Sequence, residues 1–538
     1  MMPNAAKPER GMVTSPHALA TQRGVEVLAS GGNAVEAAIA TAACLCVTYP
    51  HFCGFAGDAF LLICGPGGKM QTISGIGQAA SNTQGYKDAI PVRGPRSALT
   101  SAATVDALGK AFEISQSQLG GCKSWGELLA PAIELARNGF PLTESQRFWL
   151  NFRLSERESL ADVYRAHGVD GQAPQAGRVL KQAALATTIE MLAERGPRDF
   201  YEGKLARRIA RGLADAGSPL TLLDLSRTQA RIEPALSVAY RGGALFAHQP
   251  PTQGVTTLEI MGILERFNLK GIAEGSADYY HLLVEAVKQA FMDRNRYIAD
   301  PDFGEVQAQM LLSARHLDRK ADAIRMDKAL PWPHTYKPGD TVYIGATDEA
   351  GHCVSMLATI YYDWGSGVMA GDTGLLWHNR GAAFSMDPRH PNCLAPGKRP
   401  FHTLNPGIYV KNDKVKFLYG TQGADGQPQT LAALLTRLID YGFDPLQALA
   451  RPRFLLGKTF SDSNDSLKLE DDVAAQTLAE LSRRGHQIST ISSQNPLMGH
   501  PGAIVIDPVT SVISGAHDPR SDGLAIGLCG ATRGQGAW

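Results

Sequence analysis

The stretch from Thr341 to Tyr361 constrains this chain more than any other. Two short runs of strand-forming residues, Thr341 to Asp348 and His352 to Tyr361, flank the turn Glu349-Ala350-Gly351. Runs of that length around a short glycine-bearing turn pair as an antiparallel hairpin, which commits this half of the chain to a sheet. The hairpin opens on a threonine placed directly behind a polar Pro338-Gly339-Asp340 turn. A break between Asp340 and Thr341 would leave that threonine with both a hydroxyl and its own α-amine. Together these are a nucleophile and its base, a complete unit for amide hydrolysis. Threonine is also common in strands for packing reasons alone. Spacing by itself therefore makes Thr341 a candidate and nothing more.

At 538 residues the chain exceeds one small core, and its length suggests two or more folding units. Lys+Arg and Asp+Glu both number 52, so no overall field favours nucleic acid or a membrane, and a ligand has to be recognised locally. The first ten residues lack the apolar core of a secretory signal, and a cytoplasmic protein is expected. The apolar segment Ala37 to Val47 is too short to span a bilayer and reads as a buried helix. Eight cysteines over this length are not a disulfide scaffold. Cys44, Cys46, Cys53 and Cys64 cluster, three of them in apolar runs, and read as buried thiols and not as metal ligands.

Helical spacing runs from Ala18 to Ser30 and stops at Gly31-Gly32; Asn33 then caps a second helix, with Glu36 completing a capping box. Ala59 to Ile63 reads as a strand inside the run Gly54 to Gly68, and Ile232 to Ala247 as strands around Arg241-Gly242-Gly243. Helical patterns dominate Ser124 to Gly217 and Ala277 to Tyr297. From about Arg319 to Asp340 the chain is polar and proline-bearing, an exposed linker of the kind that tolerates cleavage. Further on, Gly423 to Gln429 reads as a loop, followed by a helix from about Thr430 to Tyr441.

From Gly11-Met12-Val13 to about Gly523 the chain resembles the γ-glutamyltranspeptidase family of N-terminal-nucleophile hydrolases. The resemblance rests on Gly31-Gly32-Asn33-Ala34-Val35-Glu36, Pro250-Pro251-Thr252-Gln253-Gly254, Gly365-Ser366-Gly367, Arg451-Pro452-Arg453-Phe454 and Asp518-Pro519-Arg520-Ser521. Asn379 to Ser385, Pro400 to Pro406 and Asp425 to Thr430 are similar to a branch of that family that includes oxamate amidohydrolase. The resemblance implies an α+β fold, a four-layer αββα sandwich. It implies two intertwined segments, 1–340 and 341–538, that form a heterodimer after cleavage; a dimer of such heterodimers is a further assembly it leaves open. It makes Asp340-Thr341 the cleavage site, Thr341 the nucleophile, Thr359 a second threonine bonded to it, and Gly423-Ala424 the oxyanion pair. An Ala in that second position carries a strain cost if its φ is positive. No metal or organic cofactor is expected.

The pocket departs from the family's pattern. The aspartate that holds an α-ammonium is replaced by Ala383, a Glu or Gln contact by Arg380, an Asn by Tyr361 and a Ser-Ser pair by His402-Thr403. An ammonium buried without an anion is costly, whereas the planar fork of Arg380 matches a carboxylate. Asn379, Arg380, Tyr361, His402 and Thr403 are therefore the expected substrate contacts, and the expected substrate is a short anionic amide such as oxamate, hydrolysed with release of ammonia. Two alternatives stand beside this reading: a γ-glutamyl hydrolase or transferase acting on glutathione, and an uncleaved relative that only binds a ligand. For Arg380 the alternative is a solvent-facing turn arginine.

Overall fold

The computed structural model describes residues 10–168, 174–332, 340–458, 465–507 and 509–528. Asp340–Asp348 and Cys353–Tyr361 form the expected antiparallel hairpin. Its turn passes through Gly351 at φ +85°, a conformation that suits glycine. These two strands lie inside a seven-stranded sheet. In spatial order its strands are Leu524–Gly527, Gly11–Ser15, Asp340–Asp348, Cys353–Tyr361, Asp58–Cys64, Met70–Gly75 and Arg231–Glu233. A second sheet of six runs Ile513–His517, Pro501–Ile506, Lys414–Thr421, Gly407–Lys411, Gly243–Ala247 and Leu236–Tyr240.

Side-chain alternation along these strands builds the layers. Val342, Ile344 and Ala346 share one core with the helices Ala34–Thr48 and Thr104–Gln118. Tyr343 points the other way and packs with Phe60, Leu357 and Leu404. Met12 and Leu62 of the first sheet meet Ile408, Leu418 and Ile504 of the second in the same interior layer. The far side of the second sheet packs on Gly254–Leu264, Ala277–Tyr297 and Gln427–Ile439. The result is a four-layer αββα sandwich.

The helix at Ala34 starts where its capping box requires. Asn33 Oδ1 accepts from the Glu36 N–H at 3.0 Å and Glu36 Oε2 accepts from the Asn33 N–H at 2.9 Å. Asp348 Oδ2 accepts from the Ala34 N–H at 2.8 Å, which ties this helix to the hairpin. Cys44, Cys46, Cys53 and Cys64 are buried free thiols. Among the described residues no helix is long and apolar enough to cross a membrane.

Three boundaries differ from the sequence reading. The stretch starting at Arg319 is not all linker, because the helix Ala314–Asp322 covers its start; Pro333 and Pro338-Gly339 lie outside the described residues. The end of that stretch is not exposed: Asp340 and Thr341 are 2% and 1% accessible, because they already belong to a central strand. The helix expected from Thr430 begins three residues earlier, at Gln427, since Pro428 is tolerated in a first turn, where its missing N–H costs nothing.

Replacing Asn33 by Ala should lower stability by about 1–2 kcal/mol, the usual cost of a lost N-cap, read as a lower urea midpoint. An unchanged midpoint would mean that Asp348 alone holds the helix start.

Candidate active site

The same alternation that builds the layers places polar groups between the sheets. Thr341 shares a face with Tyr343, Thr359 with Leu357, and Asp58 with Phe60 and Leu62. Thr359 and Asp58 are direct cross-strand partners. Hairpin pairing then breaks at the open end: Ala358 faces Val342, but Tyr361 faces Asp340. Thr359 and Ile360 together stand opposite Thr341, which makes a bulge that bends the strand. Tyr361 leaves it at φ +79°, a costly conformation for a bulky residue.

The bulge brings side chains onto the Asp340-Thr341 bond. Thr359 Oγ1 donates to the Asp340 carbonyl and accepts from the Tyr361 N–H at 2.7 Å. Gln427 Nε2 donates to Thr341 Oγ1 at 3.3 Å, and Gln422 Nε2 donates to Asp340 Oδ1. Burial, and next the charge of Asp363, push the Asp340 carboxyl well above the usual carboxylate range.

Gly423 and Ala424 take φ of +127° and +44°, so the alanine does sit in the left-handed region. The strained turn is held from behind. Gln253 Nε2 donates to the carbonyls of Ala424 and Thr403, both at 2.7 Å, while its Oε1 accepts from Arg294 Nη1 at 3.2 Å. Arg294 in turn pairs with Asp425 at 3.2 Å.

Arg380 is fully buried and not a solvent-facing turn residue. Its guanidinium lies 3.7 Å from the centroid of the Tyr361 ring, and Nη2 donates to Thr403 Oγ1 at 3.4 Å. Nε and Nη1 have no hydrogen-bond partner among the described residues. Burial pulls its pKa down to about 10, so it remains charged at neutral pH.

His402 and Asn379 are committed within the protein. His402 Nδ1 accepts from the Leu404 N–H at 3.3 Å, so Nε2 carries the proton and donates to Asp58 Oδ2 at 3.2 Å. Burial, and next the Arg380 charge, push His402 down to about 3, which keeps the ring neutral. Both ring nitrogens are thereby occupied. Asn379 Oδ1 accepts from the Tyr362 N–H at 3.1 Å and its Nδ2 donates to the Val92 carbonyl at 2.7 Å. These two side chains are spent on contacts within the protein, whereas Arg380 Nε and Nη1 are not.

Asp58, Gln253, Gln422 and Gln427 were missed by sequence reasoning. Burial works against the charge of Asp58, but His378, His402 and the Gly77 N–H outweigh it and hold its pKa below the usual range. Gln253 and Gln427 lay inside motifs that carry the family resemblance without a role attached to them; the signal at Asp58 was weaker, a lone acid opening an apolar strand.

Two groups of buried side chains are of metal-binding type, His281 with Glu285 and His486, and Glu259 with Asp293 and His316. Each already holds an ammonium: Lys288 is 2.8 Å from Glu285, and Lys320 is 2.8 Å from Asp293. The positive charge that the acids call for is in place.

Interleaved sheets around a strand-borne threonine, under an αββα sandwich, define an enzyme of the N-terminal-nucleophile hydrolase type. Residues 20–528 match the family described as gamma-glutamyltranspeptidase, and the chain belongs to it. It is 43% identical to an oxamate amidohydrolase proenzyme of Klebsiella pneumoniae over 96% of this chain and 98% of that one. It is 30% identical to a glutathione hydrolase proenzyme of Escherichia coli over 96% and 92%. A cephalosporin acylase structure from Bacillus halodurans superposes with a TM-score of 0.90 at 30% identity, covering 98% of both chains.

Ala424→Gly should raise the thermal midpoint. It removes about 1–2 kcal/mol of left-handed strain against about 0.5–1 kcal/mol of added unfolded-chain entropy. A lowered midpoint would show that packing of the buried methyl outweighs the backbone.

Proposed function

We propose that the chain is a precursor that cuts itself between Asp340 and Thr341 and then hydrolyses a small carboxylate-bearing amide. The observation that carries this is the burial of the scissile bond. An external protease has no access to a peptide inside a central strand, so cleavage there falls to groups of the chain itself. Thr341 Oγ adds to the Asp340 carbonyl carbon, whose oxygen is polarised by the Thr359 hydroxyl. The C–N bond breaks, the hydroxyl proton passes to the departing nitrogen, and an ester remains. Water hydrolyses it to the Asp340 carboxylate and a free Thr341 hydroxyl.

Both sheets contain strands from before and after this point, so segments 1–340 and 341–538 stay together as two intertwined chains. Leu524–Gly527 pairs with Gly11–Ser15 and adds one more such link. In the mature site the Thr341 amine, with a reference pKa of about 7.7–8.0, takes the hydroxyl proton. Thr341 attacks the substrate amide, ammonia leaves with the returned proton, and water releases the acyl group. The backbone N–H groups of Gly423 and Ala424 are the proposed donors to the developing oxyanion.

Substrate class follows from Arg380. A buried guanidinium with two unpartnered edges calls for an anion. Position 383 is an alanine, and both oxygens of Asp58 are engaged, by the Gly77 N–H at 2.9 Å and by His402. The α-ammonium of a γ-glutamyl group therefore finds no acid at position 383, and the carboxylate of Asp58 is already shared with a backbone N–H and an imidazole. An oxamate-like amide, the activity named for the Klebsiella relative, fits these features. Glutathione, suggested by the Escherichia coli relative, fits them less well. Measuring ammonia from oxamate against glutamate from glutathione tests the choice, and faster glutamate release would reverse it.

Thr341→Ala is expected to remain one chain on a denaturing gel and to be inactive. Splitting after Asp340 in that variant would rule out attack by the threonine. Arg380→Ala should raise KM for the anionic amide roughly 10- to 100-fold, the worth of a charge-assisted pair; an unchanged KM would put the carboxylate elsewhere.

A further inference from the structure

Two buried amides touch the Asp340-Thr341 junction, and in each only the nitrogen of the carboxamide is hydrogen-bonded among the described residues. Gln422 Nε2 is on Asp340 Oδ1 and Gln427 Nε2 is on Thr341 Oγ1, while Oε1 of both is buried without a donor among the described residues. A buried acceptor left empty is costly and rare. Cleavage creates new donors at this place, because the planar peptide nitrogen of Thr341 becomes an amine with two or three hydrogens. Gln422 addresses the departing side of the bond. Gln427, fixed on the first turn of Gln427–Ile439, addresses the side that stays.

We propose that Gln427 is a positioning residue for the nucleophile, spanning the Thr341 hydroxyl with Nε2 and the newly formed α-amine with Oε1. This rests on the self-cleavage reading above. The hydroxyl oxygen and amine nitrogen of one threonine are about 3 Å apart in a staggered rotamer. A single carboxamide, with its donor and acceptor side by side, can address both. Drawing an amine N–H toward Oε1 turns the nitrogen lone pair to the hydroxyl, which is what a base on the same residue needs and what free rotation would deny it. The empty acceptor of the precursor thus becomes a working contact of the mature enzyme.

The pH profile separates this role from a structural one. An acceptor on the amine favours its protonated form and raises its pKa. Activity requires the neutral amine, so the acidic limb of kcat/KM in the wild-type lies at higher pH than it would without that acceptor. Gln427→Met, which removes the acceptor, should move the limb to lower pH and reduce plateau kcat/KM about tenfold or more. Gln427→Glu, which substitutes a charged acceptor of the same shape, should move it to higher pH. The other charged and titratable groups described around the junction include Asp340 itself, Asp58 with His402, Arg380, Asp363 with Arg153 and Arg93, and Asp425 with Arg294. They are the same in both variants, so opposite shifts report on position 427.

The assay uses purified protein with oxamate, normalised to the fraction of small chain that begins at Thr341 by N-terminal sequencing. Gln427→Glu alone decides the matter if Gln427→Met accumulates uncut. An acidic limb that stays put although the small chain starts at Thr341 overturns the Gln427 inference and leaves the nucleophile reading intact. A wild-type small chain that does not start at Thr341 overturns both.

Discussion

Everything in this site depends on the burial of one peptide bond at a bulge. Thr359 and Ile360 together oppose Thr341, and this two-against-one pairing sets the Thr359 hydroxyl on the Asp340 carbonyl. A regular ladder would have continued the pairing through that carbonyl. The bulge replaces a backbone donor with a side-chain donor, and it does so at the open end of a central strand, where neighbouring strands and the second sheet exclude water. The strained backbone at Tyr361 and Ala424 belongs to the same construction. Such conformations persist only when their surroundings over-determine them; at Ala424 the determinants are the carbonyl clamp of Gln253 and the Arg294–Asp425 pair behind it, and at Tyr361 the Thr359 hydroxyl on its N–H and Arg380 over its ring.

Charge in the pocket is balanced within the chain before any substrate arrives. Asp58 is fixed by the Gly77 N–H and by His402, and it lies within electrostatic reach of Arg380, whose charge helps keep His402 neutral. Among the described residues Arg380 keeps two buried nitrogens without a partner, whereas each oxygen of Asp58 already accepts a hydrogen bond. That asymmetry, more than net charge, is what favours an anionic ligand over an ammonium.

Much of the fold was legible from local pattern. The hairpin, the capping box at Asn33 and Glu36, the helix Ala277–Tyr297 and the buried thiols all follow from periodicity, capping chemistry or hydrophobicity, which neighbours in sequence carry between them. The early start of the helix at Gln427 was obscured by Gly426 and Pro428, residues that mark a loop as readily as a first turn. The linker reading took its end as exposed because a polar, proline-bearing run says nothing about whether the strand that follows is central or at an edge.

By itself, the sequence determined the place of the candidate nucleophile and the alanine at position 383, since each is a statement about which residue stands at a position; the αββα class came with the family resemblance that its motifs carry. Only the tertiary structure decided what those residues touch. Asp58 and His402 are 344 positions apart, and Thr341 and Gln427 are 86 apart. No local periodicity links such pairs; sheet order and layer packing do. Burial was decided at the same level: the sequence left Arg380 either a carboxylate contact or a solvent-facing turn residue, and its complete burial against Tyr361 and Thr403 removed the second.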